Sequence, residues 1–224
     1  MPLILILAEC GLEIIPKQIR THPAVKKNLS SKIYASELLD NALHFSAMKN
    51  LKDFQKRGRP DITHFCLLSA LGSSLNKTGN LKLYIHTIKN KIFSFNPEIK
   101  ITRNFNRFKG LIAKLLIDGI IETSKLKLIT PVNGDLKELI SSFETPEVYL
   151  FSSKGRIIEN YQDLFTKDRD KNYITIIGGF QKGNFSKDIK SLSENLISIS
   201  NHPLDAWVVT NRIITYYELT YSIL

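Results

Sequence analysis

The chain predicts an α/β fold on a largely parallel sheet, and three observations carry that prediction. Apolar runs of strand length alternate with longer stretches of helical periodicity. The first run, Leu3–Ala8, is apolar at every position, as a strand buried on both faces of a parallel sheet must be. Three of the strand candidates end in loops rich in glycine, serine or asparagine, and ligands of open α/β sheets sit at the carboxyl ends of strands.

Taken in order, the elements follow from pattern and punctuation. After Leu3–Ala8, a helical pattern runs from Ser36 to about Lys56, with Leu39, Leu43, Ala47, Leu51 and Phe54 on or near one face. Pro60 pushes Arg59 out of the helical region. A second helix follows Asp61, which stands where an N-cap would, and reaches about Leu75 with Ile62, Phe65, Leu67, Leu68 and Leu71 behind it. Residues 76–80 form a turn. Leu81–Thr87 and Lys91–Phe95 read as a hairpin around Lys89 and Asn90. Thr102 is placed to cap a helix that runs to Asp118 and stops at Gly119, with Phe108, Leu111, Leu115 and Leu116 inward. Three further strands, Val148–Ser152, Tyr173–Gly178 and Leu196–Ser200, precede a last helix from Leu204 onward. No repeat, low-complexity tract or linker interrupts the 224 residues, so one domain over 1–224 is expected.

Charge narrows the function. The net charge of +10 is concentrated in residues 1–114, which hold 19 Lys/Arg against 7 Asp/Glu, while residues 115–224 hold 12 against 14. One face that meets a polyanion explains that asymmetry, and nucleic acid is the first candidate. The apolar start is too short to span a bilayer and lacks the basic flank of an export signal. No basic amphipathic helix with an aromatic rim suggests a membrane surface. Cys10 and Cys66 are the two cysteines, neither in a metal-type cluster, and read as reduced core thiols. No metal, no membrane and a cytoplasmic location are expected.

Three segments carry chemistry. Residues 57–64, Arg-Gly-Arg-Pro-Asp-Ile-Thr-His, cluster guanidinium groups at Arg57 and Arg59 around a carboxylate at Asp61. Lys100, Arg103, Arg107 and Lys109 fall within ten residues, interleaved with Phe105 and Phe108, and Glu98 is the only carboxylate from 82 to 114. Cations without acidic neighbours are best explained by phosphate contacts. The segment Ile-Gly-Gly-Phe-Gln-Lys-Gly at 177–183 follows a strand, but Asn184 and Phe185 stand where a phosphate loop needs Lys and Ser/Thr, and the dinucleotide glycine spacing fails too. Its glycines let a backbone approach something closely. Loops at 150–155 and 199–204 end two other strands, so the three together would make a cofactor pocket.

In this order, Arg-Gly-Arg-Pro-Asp-Ile-Thr-His-Phe, Arg-Asn-Phe-Asn-Arg-Phe-Lys-Gly-Leu, Ile-Gly-Gly-Phe-Gln-Lys-Gly and Pro-Leu-Asp-Ala-Trp-Val-Val resemble the small-subunit ribosomal RNA pseudouridine N1-methyltransferases, ribosome-biogenesis enzymes of the SPOUT superfamily. The likeness covers nearly the whole chain, and its length and simple start match archaeal members. It implies a SPOUT fold with a C-terminal deep trefoil knot over about 145–224, a basic RNA-binding insertion over about 76–118, a homodimer, and S-adenosylmethionine bound within the knot. It implies cofactor contacts at Leu150, Gly178, Gly179, Gly183, Ile199, Ser200, Asn201, His202, Pro203 and Leu204. RNA contacts would fall at Arg57, Arg59, Lys100, Arg103 and Arg107, with Asp61 and Arg59 as the catalytic pair. Lys100 replaces an arginine of some relatives, which weakens bidentate recognition there.

The implied reaction aligns a sulfonium methyl with N1 of a pseudouridine in a small-subunit rRNA loop. Asp61 would accept the N1 proton or orient Arg59; beside two arginines it makes a poor base, which favours orientation. The alternative is a non-catalytic RNA-binding assembly factor that uses the same basic surface.

Overall fold

A computed structural model describes residues 2–29, 34–166 and 171–223. In chain order the strands are β1 (Leu3–Cys10), β2 (Leu81–Thr87), β3 (Ile92–Phe95), β4 (Ile121–Glu122), β5 (Lys127–Val132), β6 (Pro146–Ile157), β7 (Asn172–Gly178) and β8 (Leu196–Ser198). They lie side by side as β4-β5-β3-β2-β1-β7-β6-β8. The helices are α1 (Pro23–Lys26), α2 (Asn41–Met48), α3 (Pro60–Gly72), α4 (Ser74–Lys77), α5 (Phe105–Asp118), α6 (Leu136–Ser141), α7 (Lys187–Lys190) and α8 (Ala206–Tyr221).

Strand β1 is the centre because Leu3–Ala8 has no polar residue to expose. Leu3, Leu5 and Leu7 enter one core cluster with α3, α5 and α8, while Ile4, Ile6 and Ala8 enter another with α6 and α7 on the opposite face. The period-2 alternation of a strand is present but hidden, since both faces are apolar. The sheet is parallel from β2 through β1, β7 and β6 to β8, and antiparallel through β3, β5 and β4. The segment 76–118 therefore contributes β2 to the central ladder as well as its basic residues.

Several expectations change in detail. The helix expected over 36–56 is realised only as α2, capped by Asp40, whose carboxylate accepts from Ala42 N. Asp53 at φ +53° then turns the chain into a 3-10 turn at Phe54–Lys56. Leu39, Ala47 and Leu51 are nonetheless buried, in a small separate core with Ile15, Val25 and Met48, whereas Leu43 faces solvent. Helix α3 begins at Pro60 with Arg59 as its N-cap, two residues earlier than expected, so Asp61 sits inside its first turn and caps nothing; Phe65 faces outward. The cap of α5 is Asn104, whose side chain accepts from Arg107 N, while Thr102 accepts from Asn104 N. Gly119, at φ +82°, ends that helix as expected. Strands β4 and β5 and helix α6 were not anticipated. The Asp135/Glu138 capping box of α6 was present in the sequence as an Asp-x-x-Glu signature.

The carboxyl end of β6 has an uncommon path. Its residues Leu150 and Phe151 pair with Leu196 and Ile197 of β8, and its residues Arg156 and Ile157 pair with Ile197 and Ser198. Ile197 thus pairs with β6 twice, and residues 152–155 run close over the β8 backbone between the two pairings. Gly155 stands at that crossing: a Cβ there would lie 2.5 Å from Ile197 C and N. Only glycine lets two backbones approach so closely.

Candidate functional site

The crossing lies at the rim of a cleft of about 200 Å³ at the carboxyl ends of β6, β7 and β8. Phe151, Ser152 and Ser153 line it from the first strand end, Gly178 and Gly183 from the second, and Ile199, Ser200, His202, Pro203 and Leu204 from the third. The three loops singled out in the sequence converge there. Three expected contacts do not line the cleft. Leu150 points into the core with Ile176, Gly179 turns its Cα under Cys10, and Asn201 is exposed. Sequence reasoning missed the apolar floor supplied by Ile177, Phe180, Phe185 and Val209. Phe180 folds back over Gly178, where a Cβ would meet its ring at 2.8 Å, and it meets Phe185 edge-on with centroids 5.8 Å apart. No spacing rule would have announced that ring pair.

The arginine loop stands beside this cleft, joined to it by backbone. Arg59 N donates to Gly11 O at 3.2 Å, and Gly11 N donates to Gly179 O at 3.2 Å. Gly58 makes the loop possible at φ +63°, pressed against Met48 and Asn41. The two arginines then part. Arg57 is 7% exposed, and its Nε and Nη2 donate to the two Glu13 carboxylate oxygens at 2.5 and 2.6 Å. It supports the loop from within instead of facing a ligand. Arg59 is partly exposed, and its Nε and Nη2 donate to Asp61 Oδ1 and Oδ2 at 2.8 and 2.6 Å. The hydrogen bonds that Arg59 donates to Asp61 raise its pKa, with Asp205 and Asp40 adding nearby negative charge. Asp205 precedes α8, so Arg59 lies within electrostatic reach of the 199–204 loop.

Glu9 ties the two loops together. It is buried at the end of β1 with φ +52°, a conformation that costs a non-glycine residue energy. Its carboxylate accepts from Lys56 Nζ at 2.7 Å and from Ser186 N at 3.2 Å, and its own N–H donates to His86 Nδ1 at 3.2 Å. Burial lowers the His86 pKa, which suits a neutral ring accepting at Nδ1 and donating from Nε2 to Asn90 Oδ1. Lys56 Nζ also lies 4.6 Å from the centre of the Phe180 ring. A Cβ at Gly183, φ +120°, would meet Lys56 Cε at 3.2 Å. Crowding at Gly183 thus comes from the protein's own lysine.

The basic segment also divides. Lys100, Arg103 and Arg107 are exposed and form no ion pair among the described residues. Arg103 precedes α5, so the pair flanks the helix start and does not form a stripe along it. Lys109 is buried, its Nζ 2.8 Å from Asp40 Oδ2 and 5.0 Å from the Phe105 ring centre. It is not a free cation. Phe108 is buried too, stacked at 4.2 Å on His64, so the interleaved aromatics belong to packing. No group of three or more metal-ligating side chains occurs among the described residues, and no described helix is long and apolar enough to cross a membrane.

Comparison with known proteins agrees with this geometry. The sequence matches EMG1/NEP1 methyltransferase over residues 5–218. It is 40% identical over 226 residues to the ribosomal RNA small subunit methyltransferase Nep1 of Staphylothermus marinus, covering 100% of this chain and 98% of that one. The protein of the same name from Thermococcus sibiricus is 37% identical, with 96% of each chain covered. The crystal structure of Archaeoglobus fulgidus Nep1 bound to S-adenosylhomocysteine superposes with a TM-score of 0.84 at 32% identity, covering 99% of this chain and all of the other. With residues 5–218 matched and the fold shared end to end, the chain belongs to the EMG1/NEP1 methyltransferase family.

Proposed function

We propose that this protein is an S-adenosylmethionine-dependent methyltransferase that methylates N1 of a pseudouridine in small-subunit ribosomal RNA during subunit biogenesis. The observation that carries the reading is one sheet edge where a three-loop cleft adjoins the Arg59–Asp61 pair. The relatives' name and the S-adenosylhomocysteine held by the Archaeoglobus protein agree with it.

The cleft fits the cofactor by its chemistry. Its lining combines Gly178, Gly183 and the 199–204 loop with the apolar side chains of Ile177, Phe180, Phe185 and Val209. Backbone donors and acceptors suit an adenine edge, and apolar walls keep water from the sulfonium. When bound, S-adenosylmethionine supplies an electrophilic methyl group. The chain's residues supply alignment, since the methyl needs little further activation. In uridine N1 is bonded to the sugar, whereas in pseudouridine it carries a proton and can accept a methyl once that proton leaves. The Asp61 carboxylate engages Arg59 through both oxygens, so it serves to aim the guanidinium. Arg59, kept charged by that contact, stabilises the anion that develops as the N1 proton passes to solvent water. Lys100, Arg103 and Arg107 contact phosphates of the loop, and the target base turns out of its stack to reach the cleft.

The chain is read as one SPOUT unit, with 76–118 as the basic RNA-binding part and 145–224 as the knotted cofactor part. The passage of 152–155 across β8 supports threading of a knot. A homodimer is supported by Phe65, 47% exposed on α3, and Leu219, 54% exposed on α8, helices that pack together with Trp207 against Phe65. Two free, buried cysteines and an RNA substrate suit the cytoplasm.

The test is direct. Incubation with S-adenosylmethionine and a pseudouridine-containing small-subunit RNA should add one methyl group at N1, located by mass spectrometry of the digested RNA. The same RNA with uridine at that position should remain unmodified. RNA binding without calorimetric uptake of S-adenosylhomocysteine would favour the non-catalytic assembly factor.

A further inference from the structure

We propose that the exposed side of α2, with Phe45, Lys49 and the following Lys52, is a second RNA-binding site: a platform for single-stranded nucleotides that flank the target base. It rests on the reading of RNA as substrate and extends the footprint beyond the arginine loop.

Residues 14–29 and 34–56 gather around a small core of their own, with Ile15, Val25, Leu39, Met48 and Leu51 inside. What this lobe presents outward is basic. Lys17, Lys26, Lys27, Lys49 and Lys52 are exposed and make no ion pair among the described residues. Its carboxylates are mostly taken, Glu37 by Arg20 and Asp40 by Lys109. Lysines without partners on a folded lobe hold a surplus charge that a polyanion would neutralise.

An aromatic ring stands among them half open to solvent. Phe45 is 50% exposed. Phe54 meets it edge-on with centroids 6.5 Å apart, and Lys49 Nζ lies 5.9 Å from its centre. Phe45 and Lys49 are i and i+4 on one face, and Lys52 follows on the turn after the helix. An exposed ring fixed at its edge beside unpaired ammonium groups is the arrangement that binds single strands: bases stack on the ring and phosphates meet the cations. A protein partner would need a broader apolar surface than one ring rimmed by lysines.

The position suits this occupant. Asn41 N, at the start of α2, donates to Gly58 O at 2.7 Å, inside the arginine loop. Asp40 holds Lys109 of α5, and the turn Tyr34–Glu37, with Tyr34 exposed, packs against the same helix. From Asn41 the helix advances about 6 Å to Phe45 and about 12 Å to Lys49. A strand whose target base reaches Arg59 and whose phosphates meet Arg103 and Arg107 has α2 on its way.

Two RNAs separate the sites: a hairpin loop that contains the pseudouridine, and the same hairpin with single-stranded flanks of about eight nucleotides. Phe45→Ala should weaken the flanked RNA by roughly five- to a hundredfold, and leave the bare loop and S-adenosylhomocysteine bound as in the parent. Phe45→Trp should keep the affinity. Lys49→Ala with Lys52→Ala should flatten the salt dependence of the flanked RNA by about 1.4 log–log units and leave that of the bare loop unchanged. Unaltered binding of the flanked RNA by Phe45→Ala, or equal loss on both RNAs, would overturn the proposal. So would a variant that sediments as a smaller species with its RNA affinity intact, which would make α2 a contact between copies. If replacing Arg103 and Arg107 by Ala changes neither RNA, the substrate reading itself fails, and the platform with it.

Discussion

At the scale of single residues, the same side-chain type takes opposite roles within a few positions. Arg57 and Arg59 are two apart, yet one is spent on Glu13 and the other is half-open on Asp61. Lys109 is two residues beyond Arg107 and buried on Asp40. Local charge density marked the segment but could not sort its members, because the deciding carboxylates lie 44 and 69 residues away in sequence. The Arg-Pro-Asp pairing was legible because both partners are local. Asp61→Asn keeps the shape and removes the charge that aims Arg59. We expect roughly tenfold or greater loss of RNA affinity, from weakened charge-assisted bonds, together with slowed methylation that high pH does not restore. Full RNA affinity with a rate recovered at high pH, measured across a pH–rate profile, would instead make Asp61 the proton acceptor.

At the scale of elements, strands were easier to read than helices. Leu3–Ala8 and Tyr173–Gly178 declare themselves by apolar content, and both are central parallel strands. The 36–56 pattern misled because burial at Leu39, Ala47 and Leu51 arises from a short helix and turns around a private core, which imitates one long helix. Strand β5, next to the edge strand β4, was missed because only one of its six residues is buried, which dilutes the apolar signal. The cleft was legible as three strand-end loops, while the path of β6 across β8 was not, since one glycine in a serine-rich stretch looks like any turn. Gly155→Ala tests that crossing. Its Cβ would lie 2.5 Å from the β8 backbone, so we expect a loss of about 1–3 kcal/mol in chemical denaturation, as overpacking typically costs. S-adenosylhomocysteine affinity should fall as well, because Ser152, Ser153 and Ile197 line the cleft on either side of the crossing. A variant as stable as the parent would show that the two strands can part there.

At the scale of the whole molecule, the charge asymmetry visible in composition corresponds to an arrangement in space. The basic half supplies the arginine loop, the α5 start and the lysines of the small lobe, and the second half supplies the cleft. Stability should carry its own pH signature. Burial pushes the thiols of Cys10 and Cys66 up from 9.0 to about 12 each. Both are acids whose proton is held more tightly in the folded state. Their contribution is therefore full below pH 9 and is lost as pH rises toward 12. Denaturation midpoints should fall over that window, and less steeply in a Cys10→Ala, Cys66→Ala variant. An identical slope in parent and variant would show that the thiols already ionise freely in the fold.

The crossing of β6 over β8 also has a consequence for the order in which the molecule can be made. Residues 196–198 pair with β6 both at Leu150–Phe151 and at Arg156–Ile157, and α8, which lines the cleft at Ala206 and Val209, comes later still. During synthesis at about 5–20 residues per second, everything that could grip RNA leaves the ribosome before anything that could grip the cofactor is whole. A nascent or C-terminally clipped chain is then a protein with a basic face and no methyl donor. Such a chain would occupy its substrate without modifying it, so an intact tail decides whether binding RNA is productive or obstructive.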